Sequence, residues 1–168
     1  MEWINDFKTK GYAKFRAPEL AELVTIAGLE LIHTEEMFRD NFKEDLPTDI
    51  NKQLSIISNI LKSEYIDIAF PDNKFIKYIL WEGVDADSAT FHTDVFEGMN
   101  CFFILYFDDM KEETGGVVGF KYEGIVDKHY PKRGDLILFN QSPGFFHMAE
   151  KATIPRRQAS FDFLVQGL

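Results

Sequence analysis

Between Phe75 and Val165 the chain sets down seven short runs rich in Phe, Ile, Val and Tyr that alternate with Gly, Asp and Pro turns. They cover residues 75–81, 91–95, 100–107, 116–121, 135–139, 145–148 and 157–165. Many short runs at this spacing predict the strands of a β-sandwich or a barrel-like pair of sheets. Residues 100–107 are apolar on both faces, and a strand of that kind must be covered on both sides. One cover is a second sheet and the other is helical. Helices are expected in the first 65 residues. Pro18 opens a helical pattern, a favoured first-turn position for proline, and Leu20, Leu23, Val24, Ala27, Leu31, Phe38 and Phe42 fall on one side of it. Pro47 breaks that pattern. Ile50, Leu54, Ile57 and Leu61 then form the buried stripe of a second helix. Ahead of both, residues 5–16 read as a helical turn followed by a short extended piece around Tyr12, Lys14 and Phe15. The expected fold is mainly β with N-terminal helices packed outside a two-sheet core. With 168 residues, one domain is expected, residues 1–70 giving helical support and 75–168 the β core.

The charge balance narrows the partners. Eighteen Lys and Arg against 28 Asp and Glu give a net charge of −10, which repels phosphate backbones and anionic membranes. Neither nucleic acid nor a membrane is an expected partner, although a small local basic pocket is compatible with this balance. The single cysteine, Cys101, excludes an intramolecular disulfide and a cysteine-based zinc site. Residues 1–6 lack the basic and apolar regions of a signal peptide. The longest apolar run, residues 101–107, is far below the ~20 residues of a membrane helix. A cytoplasmic location is expected.

The last strand carries a period-two pattern. Arg157, Ala159, Phe161, Phe163 and Val165 alternate with Gln158, Ser160, Asp162 and Gln166. The apolar face is expected to point into the sandwich, so Arg157 begins the inward face, and a guanidinium there needs an anion. The anion is either a protein carboxylate, making a structural salt bridge, or the carboxylate of a ligand held by the planar fork. In His92-Thr93-Asp94 the imidazole and carboxylate sit two residues apart in an extended run and so converge on one face. A third ligand would complete two His and one carboxylate on one side of a metal, the arrangement of non-haem Fe(II) oxygenases. Four histidines exist. His33 falls in the first helix, and His129 in a turn-like charged stretch where a solvated role is expected. His147 follows Phe145-Phe146 and precedes Arg157 by ten residues, as a core histidine or as the third ligand.

With these residues in hand, the sequence resembles the 2-oxoglutarate- and Fe(II)-dependent oxygenases, especially prolyl-hydroxylase-like and phytanoyl-CoA-hydroxylase-like members. The family pattern is His-X-Asp, a second His some fifty residues on, and a basic residue about ten further. Here it is met by His92-Thr93-Asp94, His147 and Arg157. The stretches around Leu105-Tyr106-Phe107-Asp108-Asp109, Gly115-Gly116 and Pro131-Lys132-Arg133-Gly134 are also similar, as is the opening Phe7 to Tyr12. The match is good over residues 75–168 and looser before. There are departures. The tyrosine expected to face the cosubstrate could be Tyr78 or its place taken by Trp81. Pro155-Arg156 replaces the usual glycine, and Ser160 lies three residues after Arg157 instead of two.

The resemblance implies a double-stranded β-helix, the jelly-roll or cupin-like core. It implies Fe(II) held by His92, Asp94 and His147, with 2-oxoglutarate and O2 as cosubstrates. Arg157 would pair the distal carboxylate, with Tyr106 as a hydrogen-bond partner. The implied activity is a dioxygenase that hydroxylates an amino acid, a prolyl or other peptidyl group, or a small metabolite, releasing succinate and CO2. A metal-binding cupin-like protein without oxygenase activity and a zinc-dependent hydrolytic enzyme could use the same three ligands; neither would need Arg157. The substrate stays open. Three acids in residues 82–90 suit a cationic substrate or an ordinary exposed acidic loop, and Phe91, Phe96, Phe145 and Phe146 line a pocket or fill the core.

Overall fold

The computed structural model describes residues 1–25, 46–83, 90–94 and 97–168, with backbone alone for 81–83. Ala27, Leu31, His33, Phe38, Phe42 and Phe96, and most of the acidic loop, lie outside these residues. The chain opens with α1 (Glu2–Lys10), β1 (Tyr12–Arg16) and a short α2 (Pro18–Glu22). After α3 (Thr48–Leu61) come a π-helical turn (Lys62–Ile66) and α4 (Asp67–Ala69). The strands that follow are β2 (Asn73–Gly83), β3 (Cys101–Tyr106), β4 (Val118–Tyr122), β5 (Ile125–His129), β6 (Asp135–Asn140), β7 (Phe146–Ala149) and β8 (Arg156–Val165). No helix among the described residues is long and apolar enough to cross a membrane.

The apolar stripe read for the second helix is the one α3 buries: Ile50, Leu54, Ile57 and Leu61 all lie in the core. The first helix is shorter than its pattern predicts. It stops at Glu22; Leu20 and Val24 are buried, but Leu23 is exposed.

Among the described residues, β1-β6-β3-β8-β2 make an antiparallel sheet of five strands and β5-β4-β7 one of three. Two apolar clusters follow from this layering. One joins α1, α2, α3 and the π-helical turn to the outer face of the larger sheet. The other lies between the sheets and holds Tyr12, Phe102, Ile104, Tyr106, Val118, Phe120, Ile137 and Phe139. All six residues of β3 are buried. Cys101, Phe103 and Leu105 face the helices, and Phe102, Ile104 and Tyr106 face the inter-sheet space, so its two-sided apolar character has the expected cause.

Paired residues on neighbouring strands point to the same side, which corrects the face assigned to the last strand. On β8, Ala159 pairs with Leu105 and Phe161 with Phe103, so the apolar face lies against the helices. Gln158 pairs with Tyr106, Ser160 with Ile104 and Asp162 with Phe102, which turns the polar face into the space between the sheets. The pleat was read correctly but the two faces were exchanged, because the helices provide the larger apolar cover. Gly115 and Gly116, both at positive φ, shape the approach to β4. A Cβ on Gly115 would stand 2.6 Å from the Lys151 carbonyl oxygen, so a side chain there is both strained and crowded.

Candidate active site

The candidate metal ligands meet where β7 receives the segment carrying His92. His92 and His147 form an isolated antiparallel bridge with reciprocal N–H to carbonyl bonds of 3.0 and 2.9 Å. The intervening Thr93 turns away and donates to the Phe145 carbonyl at 2.7 Å, fixing the loop ahead of β7. One donor atom from each of His92, Asp94 and His147 falls within 4.8 Å of the others. His147 Nε2 lies 3.1 Å from Asp94 Oδ2, and His92 Nε2 lies 3.8 Å from Oδ1. The His147 hydrogen bond holds the Asp94 carboxyl below its ordinary pKa, against the opposing effect of burial. His92 Nδ1 is 2.8 Å from the Thr90 carbonyl; donation there leaves Nε2 as the free lone pair, the orientation a metal-binding imidazole needs. Phe102 and Phe139 pack edge-on against the His147 ring at 6.0 and 5.4 Å. All three ligands keep partial exposure, so the cluster is an open mouth.

The basic residue of this interior is Arg156. It is 3% exposed, and one terminal nitrogen donates to the carbonyls of Gly116 and Glu150 at 3.3 and 3.2 Å. Its Nε has no hydrogen-bond partner and the guanidinium has no carboxylate partner among the described residues. Burial pulls its pKa down from the usual value, and nearby Tyr106 opposes that shift. Arg157 stands on the opposite face, with its Nε donating to Asp108 Oδ2 at 2.9 Å and a terminal nitrogen to Oδ1 at 2.5 Å. Of the two readings open for Arg157, this is the structural salt bridge. Tyr106 lies in the inter-sheet cluster, is fully buried, and has its pKa raised by that burial. Tyr78 faces the helices, its hydroxyl bonded to Asn51, so it does not face the interior.

Two polar groups of the interior were not expected from sequence. Gln158, two residues beyond Arg156 on the same face, is 2% exposed and its Oε1 has no partner among the described residues. His129 is no solvated turn residue. It ends β5, stacks on Phe120 at 5.8 Å, and both ring nitrogens are shut off from solvent without partners among the described residues. The signal for Arg156 and Gln158 was the polar face of the last strand, once the helices claim the apolar one.

These features test whether the implied groups fit. The ligand set is three donors converging at an open mouth, which suits a ferrous ion. A buried guanidinium without an anion and a carboxamide oxygen without a donor among the described residues, two positions apart on one strand face, suit an anionic ligand in the interior.

No family model matches the chain, and no curated protein matches it in sequence. Solved structures do. A prolyl 4-hydroxylase from Phytophthora capsici superposes with a TM-score of 0.71 at 16% identity, over 98% of this chain and 62% of that one. The present chain thus spans under two thirds of that protein's length. A prolyl-4-hydroxylase from Pseudomonas putida gives 0.66 at 15% identity, covering 99% of this chain and 98% of its own. An oxidoreductase of the 2OG-Fe(II) oxygenase family from Burkholderia pseudomallei gives 0.67 at 12% identity, over 96% and 88%. At such identities the likeness concerns the fold, and the chain has the fold that these 2-oxoglutarate/iron oxygenase structures share.

Proposed function

We propose that the protein is a 2-oxoglutarate- and Fe(II)-dependent dioxygenase on a double-stranded β-helix, acting in the cytoplasm as a hydroxylase. The observation that carries this reading is a conjunction. Two imidazoles and a carboxylate converge at the mouth, and a buried guanidinium without an anion stands in the interior behind them. A hydrolytic zinc site accounts for the first and leaves the second idle.

His92, Asp94 and His147 would hold the iron, and Arg156, in place of Arg157, would receive the distal carboxylate of 2-oxoglutarate with Tyr106 beside it. When bound, the iron and cosubstrate supply the oxidising chemistry: one atom of O2 enters the substrate and the other enters succinate, with CO2 released. The chain's own residues position and dry this site. Asp94 brings one negative charge to the cation. Thr90 fixes the His92 ring through its carbonyl, and Phe102 and Phe139 shield His147 from water. The prolyl 4-hydroxylase neighbours favour a peptidyl or amino-acid substrate over other small metabolites.

The test is succinate release from purified protein supplied with Fe(II), 2-oxoglutarate and O2, screened against amino acids and proline-containing peptides. Slow release without substrate and faster release with the right one is expected, with zinc inhibiting. Zinc-supported hydrolysis indifferent to 2-oxoglutarate would overturn the reading.

A further inference from the structure

Two of the three candidate ligands sit on a segment that the smaller sheet holds at a single point. Residues 90–94 lie in none of the strands, and His92 meets β7 only through its bridge to His147. Among the described residues, no backbone hydrogen bond starts or ends at Thr93 or Asp94. The Asp94 carboxylate meets His147 and His92 through the same atoms that would face a metal, so those contacts cannot hold it once a cation is there. One tie is left. The Thr93 hydroxyl donates to the Phe145 carbonyl at 2.7 Å. In an extended chain His92 and Asp94 share one face and Thr93 takes the other, so this bond grips the segment between its two ligands and from behind.

The acceptor is itself anchored in the fold. The Phe145 ring lies directly against Gly11, where a Cβ would stand 2.3 Å from it. Gly11 closes α1 in the left-handed conformation at φ 81°, which glycine adopts without strain. Its carbonyl accepts the Asn140 N–H at 2.8 Å, so the seat of the ring is fastened to β6. Support therefore runs from β6 to Gly11, to the Phe145 ring, through the Phe145 carbonyl to Thr93, and so to the ligands on either side of it.

We propose that Thr93 is a positioning residue of the metal site: its bond to the Phe145 carbonyl, held in place by the ring seated on Gly11, sets His92 and Asp94 against His147 in metal-binding geometry. This rests on the metal-binding part of the oxygenase reading above and is independent of the keto acid.

The experiment is titration with Mn(II), followed by the paramagnetic resonance signal of the free ion, beside urea unfolding of the same metal-free proteins. Thr93→Val keeps the branched shape and loses the donor; it should weaken Mn(II) about tenfold or more. Thr93→Ser restores the donor and should stay within about threefold of wild type. Phe145→Ala keeps the carbonyl but unseats it, and should also weaken Mn(II). Because both changes act through one bond, the Thr93→Val, Phe145→Ala double variant should bind within about twofold of Thr93→Val alone. A merely structural hydroxyl would lower the urea midpoint of Thr93→Val and leave its Mn(II) affinity unchanged. That outcome, equal losses in Thr93→Val and Thr93→Ser, or losses that multiply in the double variant, overturns the inference and leaves the oxygenase reading standing. A wild type that binds no Mn(II) removes both.

Discussion

Arg156 and Arg157 are neighbours in sequence and stand on opposite faces of one strand, so their loss should read out differently. Arg156→Gln removes one partner of a buried charge pair from the keto-acid complex. 2-Oxoglutarate should weaken by about 30-fold to several thousand-fold, with metal affinity unchanged. Arg157→Gln instead breaks the fork to Asp108. That side chain is 28% exposed, so the cost is about 1 kcal/mol of stability, visible as a shift of the urea midpoint at unaltered 2-oxoglutarate affinity. Titrating both variants with 2-oxoglutarate checks the pair. The site was legible to this extent: His92, Asp94 and His147 are found by residue type and spacing and are brought together in space, while the arginine buried between the sheets is Arg156 and Arg157 pairs with Asp108 on the other face. An alternating strand states that two faces differ. It does not state which cover each face meets.

At the scale of elements, the same limit explains β5. Residues 127–134 carry Asp, Lys, Lys and Arg, which reads as a charged turn. Yet β5 is an edge strand, where charge is tolerated, and its inner face carries Asp127 and His129. The helical stripe of α3 was legible because a 3.6-residue period survives wherever one side is buried. Leu54→Ala at the centre of that stripe should cost about 2–5 kcal/mol in urea unfolding. Where β1 meets β5, Asp127 accepts hydrogen bonds from the Tyr12 hydroxyl and Lys14 and so ties the two sheet edges. Desolvation raises its pKa, but the two hydrogen bonds outweigh it and the net shift is downward. A carboxyl depressed in the folded state contributes stability above its unfolded pKa and loses it as pH falls through the folded value. Asp127→Asn should therefore cost about 1 kcal/mol at pH 7, and the gap to wild type should close below about pH 4. Denaturation midpoints at pH 7 and pH 3 check it.

For the molecule as a whole, the helices cover one face of the larger sheet, which frees its other face to carry polar groups inside. Arg156, Gln158, Ser160 and Asp162 are all buried on that face, and the Arg156 Nε and Gln158 Oε1 lack partners among the described residues, so a ligand that satisfies them stabilises the protein. Mn(II) with 2-oxoglutarate at a hundredfold excess over their dissociation constants should stabilise it by about 2.7 kcal/mol or more, readable as a rise in Tm; Arg156→Gln should keep the rise due to Mn(II) alone and lose the further rise that 2-oxoglutarate adds. The central claim is that iron at His92, Asp94 and His147 and 2-oxoglutarate occupy one site. Anaerobic absorbance titration of the Fe(II)-loaded protein with 2-oxoglutarate tests it most directly. A weak visible charge-transfer band should grow to saturation in wild type and in His129→Ala, and be absent in His92→Ala and His147→Ala. No band in wild type, or a normal band in His147→Ala, would contradict it.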